Sequence, residues 1–365
     1  GGGENILSPH QTAAYEKLCR LYEDAAAQCA LLFGVTGSGK TRVMKALIDR
    51  VLRDQKSVIV LVPEISLTPQ TVGLFCSFYG ARVAVLHSSL SAGERYDAYR
   101  RIAAGEVDLV IGTRSAVFAP LANLGAIIID EEQEHTYKSD MSPKYHARDV
   151  AAFRVGRCRG LLLLASATPS VESYYKAKIG VYSLVELTER YGGAHLPAVY
   201  IADMRREALG GNLSPYGSLL REKLAETLSS KDQAILFLNR RGYNAFLSCR
   251  DCGEAVLCPR CSVSLTRHRA QGADYLLCHY CGHRERIPDA CPSCRGTHLS
   301  FMGFGTQKAE EAFHQDFSGT LLRMDADTTA KKSAYDQMLQ SFRAHGADVL
   351  LGTQMVAKGH DFPDV

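Results

Sequence analysis

The octapeptide Gly34-Val-Thr-Gly-Ser-Gly-Lys40-Thr41 constrains the fold of this chain more than any other stretch. Its spacing, G-x-x-x-x-G-K-[ST], lets backbone N–H groups close around a phosphate while the following helix adds its positive N-terminal dipole. Such a loop works only between a buried strand and a helix. The flanks agree: Ala30–Phe33 is a short apolar run, and Arg42–Arg53 is helix-compatible. In this reading Gly34, Thr36, Gly37, Ser38 and Gly39 form the cradle, Lys40 reaches the β- and γ-phosphates, and the Thr41 hydroxyl ligates Mg²⁺.

The rest of the N-terminal half repeats the strand–helix alternation. Val58–Val62, Val83–Leu86, Leu109–Ile111, Ala126–Ile129 and Leu161–Ala165 read as strands, with polar stretches such as Ala92–Ala104 between them. This is the pattern of a parallel sheet flanked by helices. Each run ends where polar residues begin: Gly34-Val-Thr, Pro63-Glu64, His87-Ser88, Gly112-Thr113-Arg114, Asp130-Glu131 and Ser166-Ala-Thr168. Ligands of open α/β sheets sit at the carboxyl ends of strands, so these clusters imply one functional edge. Asp130 suits the Mg²⁺ shell, and Glu131 suits orientation or deprotonation of an attacking water. With the phosphate loop, they indicate a nucleoside triphosphatase.

Segment 186–235 reads as a connection with a helix at Leu219–Leu228. A second α/β pattern follows, with strands Ala234–Leu238, Thr320–Met324 and Val349–Leu351 and helices Lys308–Phe313 and Ser333–Ala344. The boundaries expected are 1–190 for the first lobe, 191–365 for a second, incomplete lobe, and 249–297 for an insertion within it.

That insertion holds eight of the twelve cysteines; Cys19, Cys29, Cys76 and Cys158 are scattered, as small buried hydrophobes of a reducing compartment usually are. The eight form four Cys-x-x-Cys units: Cys249/Cys252, Cys258/Cys261, Cys278/Cys281 and Cys291/Cys294. Sixteen residues separate Cys261 from Cys278, a usual span for a two-knuckle ribbon, whereas five separate Cys252 from Cys258, which is tight. The inner two units are therefore expected to share one zinc and the outer two a second. Closed four-thiolate sites leave no open position for catalysis, so the role expected is structural; the ligands alone leave iron open. From Cys249 to Cys294 six arginines face five acidic residues. Eight thiolates and two Zn²⁺ bring the module to about −3, so it is no strong phosphate magnet, although Arg267, Arg269, Arg284 and Arg286 are expected to form one basic face.

Over the whole chain of 365 residues, 42 basic and 39 acidic residues leave +3, which excludes a blanket polycation and restricts nucleic-acid contacts to local patches. Apolar runs such as Val58–Val62 fall far short of the roughly 20 residues that span a bilayer, so no membrane partner is expected. The chain opens Gly1-Gly2-Gly3 without a methionine and stops at Val365, which suggests a piece of something longer.

Taken together, these residues resemble the bacterial primosomal replication-restart helicases, the primosomal protein N′ family of helicase superfamily two. The resemblance rests on Gly34–Thr41, Val62-Pro-Glu-Ile-Ser-Leu-Thr-Pro-Gln70, His87-Ser-Ser, Gly112-Thr-Arg-Ser-Ala-Val-Phe-Ala-Pro120, Asp130-Glu-Glu, Ser166-Ala-Thr-Pro-Ser170, Phe237-Leu-Asn-Arg-Arg-Gly242, the eight cysteines, and the run from Gly352 to Asp364. It implies two RecA-like lobes, parallel sheets flanked by helices, with the small zinc insertion in the second. It implies ATP, Mg²⁺ and two Zn²⁺ as cofactors. Gln11 matches the glutamine that recognises adenine; Ser166 and Thr168 match the motif linking hydrolysis to lobe movement, and Gln133 is placed with them in that coupling; Thr113, Arg114 and Thr353 sit where relatives grip a single strand.

The stretch His135–Arg148, with Tyr137, Lys138, Lys144, Tyr145, His146 and Arg148, matches an aromatic, basic loop that couples DNA binding to ATP hydrolysis, aromatics stacking on bases and cations tracking phosphates. The activity implied is 3′→5′ unwinding at stalled forks during primosome assembly, by a cytoplasmic monomer. The partners implied are forked and single-stranded DNA, single-stranded DNA-binding protein and other primosome proteins. Departures are Gln133 where the family usually has histidine, with His135 two positions on, and Gln307 where glutamate is expected. The family's arginine-rich motif falls after Asp361 and past Val365, which implies that this stretch binds ATP yet hydrolyses it slowly. A duplex translocase that does not separate strands and a nucleotide-gated assembly platform are the alternative readings.

Overall fold

Strands buried on both faces need apolar residues at every position, and the N-terminal runs supply them. In the computed structural model of the protein, residues 7–24, 26, 28–64, 67, 69–88, 90–190, 197–212, 214–238, 246–270, 273–302, 305–325, 328–329, 334–353, 356 and 362–365 are described. Parts of four motifs quoted above, at 65, 66 and 68, at 89, at 239–242, and at 354, 355 and 357–361, lie outside them. The chain divides into two units, one up to Pro197 and one from Ala198.

The first unit runs α1 (Pro9–Glu23), β1 (Gln28–Gly34), α2 (Lys40–Arg53), β2 (Ser57–Leu61), α3 (Pro69–Tyr79), β3 (Val83–Leu86), α4 (Ala92–Ala103), β4 (Leu109–Gly112), β5 (Leu124–Asp130), α5 (Ala147–Cys158), β6 (Leu161–Ser166), α6 (Val171–Lys178) and β7 (Ser183–Leu187). The strands form one parallel sheet in the order β3-β4-β2-β5-β6-β1-β7. Strand alternation divides the core in two. Val58, Val60, Ile128, Leu161 and Leu163 pack with Leu18 of α1 and Leu47, Ile48 and Val51 of α2. Ile59, Leu61, Ile127, Ile129, Leu162 and Leu164 pack with Ala147, Ala151 and Val155 of α5. Helix starts are written locally: Ser8 with Gln11, and Ser91 with Glu94, form reciprocal capping boxes on α1 and α4. All six expected strands are present. The edge strand β7 is one the pattern does not single out, because Glu186 interrupts its apolar residues and leaves no clean run.

The second unit contains α7 (Met204–Leu209), α8 (Ser218–Ser230), β8 (Ala234–Phe237), β9 (Phe246–Cys249), β10 (Thr266–Ala270), β11 (Ala273–Leu277), β12 (Arg284–Glu285), β13 (Leu299–Met302), α9 (Thr306–Asp316), β14 (Leu321–Met324), α10 (Ala334–Arg343) and β15 (Val349–Gly352). Strands β14-β15-β8 form a parallel sheet, and β12-β11-β10-β9-β13 form a separate antiparallel sheet that carries the cysteine block.

The parallel sheets of the two units repeat one local design. Val62, after β2, donates its N–H to the Gly112 carbonyl that ends β4; Leu238, after β8, donates to the Gly352 carbonyl that ends β15. A Cβ on Gly112 would lie 2.2 Å from the Leu86 carbonyl oxygen, and one on Gly352 would lie 2.6 Å from that of Met324. Only glycine permits either approach. Thr113 and Thr353 follow these glycines, and each accepts a backbone bond from three residues on. Among the described residues no helix is long and apolar enough to cross a membrane.

Candidate nucleotide site and metal centres

The phosphate loop is held from three sides. Gly37 (φ +78°) and Gly39 (φ +81°) adopt the left-handed backbone that favours glycine. A Cβ on Gly39 would fall 2.3 Å from Gln11 Nε2, and that amide donates to the Ser38 carbonyl at 3.0 Å. A Cβ on Gly34 would fall 2.6 Å from Ser38 Oγ and 2.9 Å from Lys40 Cγ. Lys40 Nζ donates to the Gly34 carbonyl at 2.9 Å; burial pushes its pKa below the usual range, while Glu131 and Asp130 pull it back up. Ser38 Oγ is buried with no hydrogen-bond partner among the described residues, whereas Thr36 and Thr41 are exposed. An unsatisfied hydroxyl, a lysine resting on its own loop and a backbone cradle fit an oxygen-rich polyphosphate. The sequence reading missed Arg190, which follows β7; its Cγ lies 3.9 Å from where a Cβ on Gly37 would sit. No motif marks it, because an edge strand brings it there.

At the end of β5, burial first and Glu131 second push the Asp130 carboxyl up to about 6. Glu131 takes a left-handed backbone (φ +47°) that non-glycine residues rarely adopt. A chain of hydrogen bonds leads away from it. Gln133 Nε2 donates to Glu131 Oε2 at 2.7 Å, Ser166 Oγ donates to Gln133 Oε1 at 2.6 Å, and the Thr168 N–H donates to Ser166 Oγ at 2.8 Å. Gln133 thus joins Glu131 to the end of β6 by donating and accepting at once. Gln307, the other departure, lies in the first turn of α9.

Beside this edge a cleft of about 320 Å³ opens where β2, β3 and β4 end, lined by Val62, Glu64, Ser88, Thr113, Arg114, Ser115, His135, Thr136, Lys138 and Asp140. Arg114 donates to the carbonyls of Thr136, at 3.1 Å, and Lys138, and its guanidinium lies 5.8 Å from the Tyr145 ring centroid. Tyr145 packs edge-on against Phe118 at 4.9 Å. A backbone bridge between Lys138 and His146 closes the loop between them. Lys138 and Lys144 are exposed and Tyr145 is half-buried.

Two residues expected to meet DNA here do not. Tyr137 is 1% exposed, its hydroxyl 2.6 Å from the Asp130 carbonyl and 3.1 Å from that of Leu61, so it pins the core and cannot stack on a base. Arg148 turns inward and pairs with Glu132 at 3.1 Å. Thr353, buried in the second unit, follows β15.

The cysteines converge as nested sets, Cys249/Cys252/Cys291/Cys294 and Cys258/Cys261/Cys278/Cys281, with all four sulfurs of a set within 4.8 Å of one another. Sγ separations are 3.6 Å for Cys249–Cys294 and 3.7 Å for both Cys252–Cys291 and Cys258–Cys281. A tetrahedral zinc with bonds of about 2.3 Å spaces its sulfurs by about 3.8 Å, so the donor sets fit.

One turn is built four times. The residue after each second cysteine (Gly253, Ser262, Gly282, Arg295) donates back to the carbonyl of the first and has positive φ. Backbone N–H groups at Cys281 and Cys294 pull the Cys278 and Cys291 thiols down to about 7, while neighbouring sulfurs push the Cys261 and Cys294 thiols up, so each set divides its protons unevenly. The expected single basic face is not formed. The register sets Arg267 opposite Leu276 and Arg284 opposite Leu277, so strand alternation places them on opposite faces. Arg267 pairs with Asp274 and lies over Phe301, and Arg284 lies over Tyr275.

Residues 8–177 match the DEAD/DEAH box helicase family, and residues 258–286 match the Cys-rich region domain of PriA DNA helicase. The chain is 49% identical to the replication restart protein PriA of Bacillus subtilis over 360 residues, which cover 98% of this chain and 44% of that protein. It is 44% identical to PriA of Synechocystis (98% and 44%) and 42% identical to PriA of Treponema pallidum (92% and 50%). The chain spans about half the length of these curated relatives. Among solved structures, the helicase MrfA bound to DNA and AMPPNP has a TM-score of 0.55 at 13% identity, covering 98% of this chain and 43% of MrfA. RecG bound to a three-way DNA junction has 0.51 at 15%, covering 99% and 38%. At such identities the likeness is one of fold. Fold and edge chemistry together define a helicase domain of superfamily two. Within that class the chain belongs to the PriA replication-restart family.

Two outcomes follow. Cys249→Ser with Cys258→Ser abolishes both zinc sites, because the two residues belong to different sets; pairing of neighbouring units would leave one zinc per chain, and metal analysis decides. Asp130→Asn stabilises the ligand-free chain at pH 7–8. Folding favours the neutral Asp130 carboxyl, so the fold loses stability as pH rises from about 4 through about 6. The gain expected from the amide is about 2–3 kcal/mol at pH 7–8 and nothing near pH 4, read from urea midpoints.

Proposed function

We propose that this chain is the ATP-driven motor of a replication-restart helicase that unwinds DNA in the 3′→5′ direction at stalled forks. One observation carries the reading: an unbroken hydrogen-bond path from Glu131 through Gln133 to Ser166 and Thr168, on the same sheet edge as the phosphate loop. ATP is the substrate. Gln11 reads adenine from beside the loop it fastens; Gly34, Thr36, Gly37, Ser38 and Gly39 wrap the phosphates; Lys40 releases the Gly34 carbonyl to meet them. Thr41 and Asp130 would hold Mg²⁺, which when bound neutralises phosphate charge. Glu131 orients the attacking water, and a change in its partner is felt at Ser166 through Gln133.

In the first unit Thr113, Arg114, Lys138 and Tyr145 are the strand-binding residues; in the second, taken by itself, Thr353 has that role. Grips on backbone and sugar tolerate any base sequence. Residues 1–190 form the ATP-binding lobe, 191–365 the second lobe, and 249–297 its insertion, whose two zinc ions shape a surface and do no chemistry. Forked and single-stranded DNA, single-stranded DNA-binding protein and other primosome proteins are the proposed partners of a cytoplasmic monomer, by resemblance to the family.

Lys40→Ala tests the reading. Magnesium-dependent ATP affinity, measured by calorimetry, should fall by about 100-fold with the loss of the charge-assisted phosphate bonds, and zinc content should stay at two per chain. Affinity equal to that of the parent would mean that the phosphate loop is misassigned.

A further inference from the structure

Glu132 stands next to the catalytic pair proposed above, yet its carboxylate turns to the starts of α5 and α6. Its side chain is 1% exposed, and four donors meet its carboxylate. Oε1 accepts from the Ser170 N–H at 2.7 Å; Oε2 accepts from Ser173 Oγ at 2.9 Å, Arg148 Nη1 at 3.1 Å and Ser170 Oγ at 3.2 Å. Its own N–H donates to the Ala165 carbonyl at 3.1 Å, which ties it to β6. The carboxylate therefore gathers the start of α5, the cap of α6 and the turn that holds Glu131 in its left-handed backbone.

Arg148 comes two residues after His146, whose bridge to Lys138 closes the cleft loop, and Arg114 holds the Lys138 carbonyl from the cleft side. From the cleft to the nucleotide edge every step is a contact or a sequence neighbour, all within the first unit. A loop displaced by a bound strand must carry Arg148 with it or leave a buried carboxylate without its counter-charge, which is strongly unfavourable. Arg148 Nε is buried with no acceptor among the described residues, so the guanidinium keeps a donor that a second arrangement would satisfy.

We infer that the buried Glu132–Arg148 pair is the positioning link that makes strand binding in the cleft and nucleotide binding at the phosphate loop depend on one another. The inference rests on the motor reading above. Neither residue touches either ligand; both act through Glu131 and the loop between Lys138 and His146.

Thermodynamic linkage supplies the test, because coupling between sites is reciprocal and a purely structural pair would not change it. Affinity for a single-stranded oligothymidylate is measured with and without a saturating magnesium complex of a non-hydrolysable ATP analogue, in the parent chain, R148K and E132Q. Lysine keeps the counter-charge but its nitrogen ends one bond short of Nη1, the atom that meets Glu132, Ser170 and Ser173, and glutamine keeps the shape without the charge, so one variant serves if the other fails to fold. Nucleotide should change strand affinity about fivefold or more in the parent and by less than about twofold in the variants, with each ligand alone bound within about threefold of the parent. Equal coupling in parent and variants overturns the inference, as does a parent that binds both ligands without coupling. A parent that binds no nucleotide overturns the motor reading, and the inference falls with it.

Discussion

A parallel sheet covered on both faces has no room for polar side chains along its strands. In β2 every residue is buried, and in β6 the same holds to its end at Ser166. Polar chemistry is therefore pushed to where the strands stop, and parallel strands stop on one side. Asp130, Ser166, Thr113 and the phosphate loop are neighbours because hydrophobic packing leaves them nowhere else to go. The cost shows at the same edge, in the raised Asp130 pKa, the positive φ of Glu131 and the unsatisfied Ser38 hydroxyl.

Much of this was legible in the sequence because the signals are local. A phosphate loop is defined by spacing, and the nested cysteine sets followed from loop lengths that leave a short connection too tight to share a metal. What could not be read is direction. Tyr137 and Arg148 have the composition of a nucleic-acid loop, yet one side chain points at the carbonyls of Asp130 and Leu61 and the other at Glu132. Facing is set by packing against segments distant in sequence. The arginines of the cysteine block make the same point, since the β10–β11–β12 register, and not their number, decides which face each takes. Arg190 and β7 escaped notice for a related reason: an edge strand needs only half an apolar pattern, and residues after it carry none.

The cysteine module reaches order by another route. Its core is small, built on Leu247, Val256, Leu265 and Leu276 with Cys258 and Cys278 among them. A core of that size rarely holds a fold alone, and metal held by the two cysteine sets would supply what apolar burial does not. The fourfold repetition of one turn, with glycine at two of the positive-φ positions and serine and arginine at the others, shows that the backbone that brings the sulfurs together is kept whichever residue follows the second cysteine.

Gln133 carries one more consequence. Relatives usually place an imidazole at this position, and an imidazole gains or loses a proton near neutrality. A carboxamide does neither. The link between Glu131 and Ser166 therefore runs through a group that has no protonation state of its own, where an imidazole would add one.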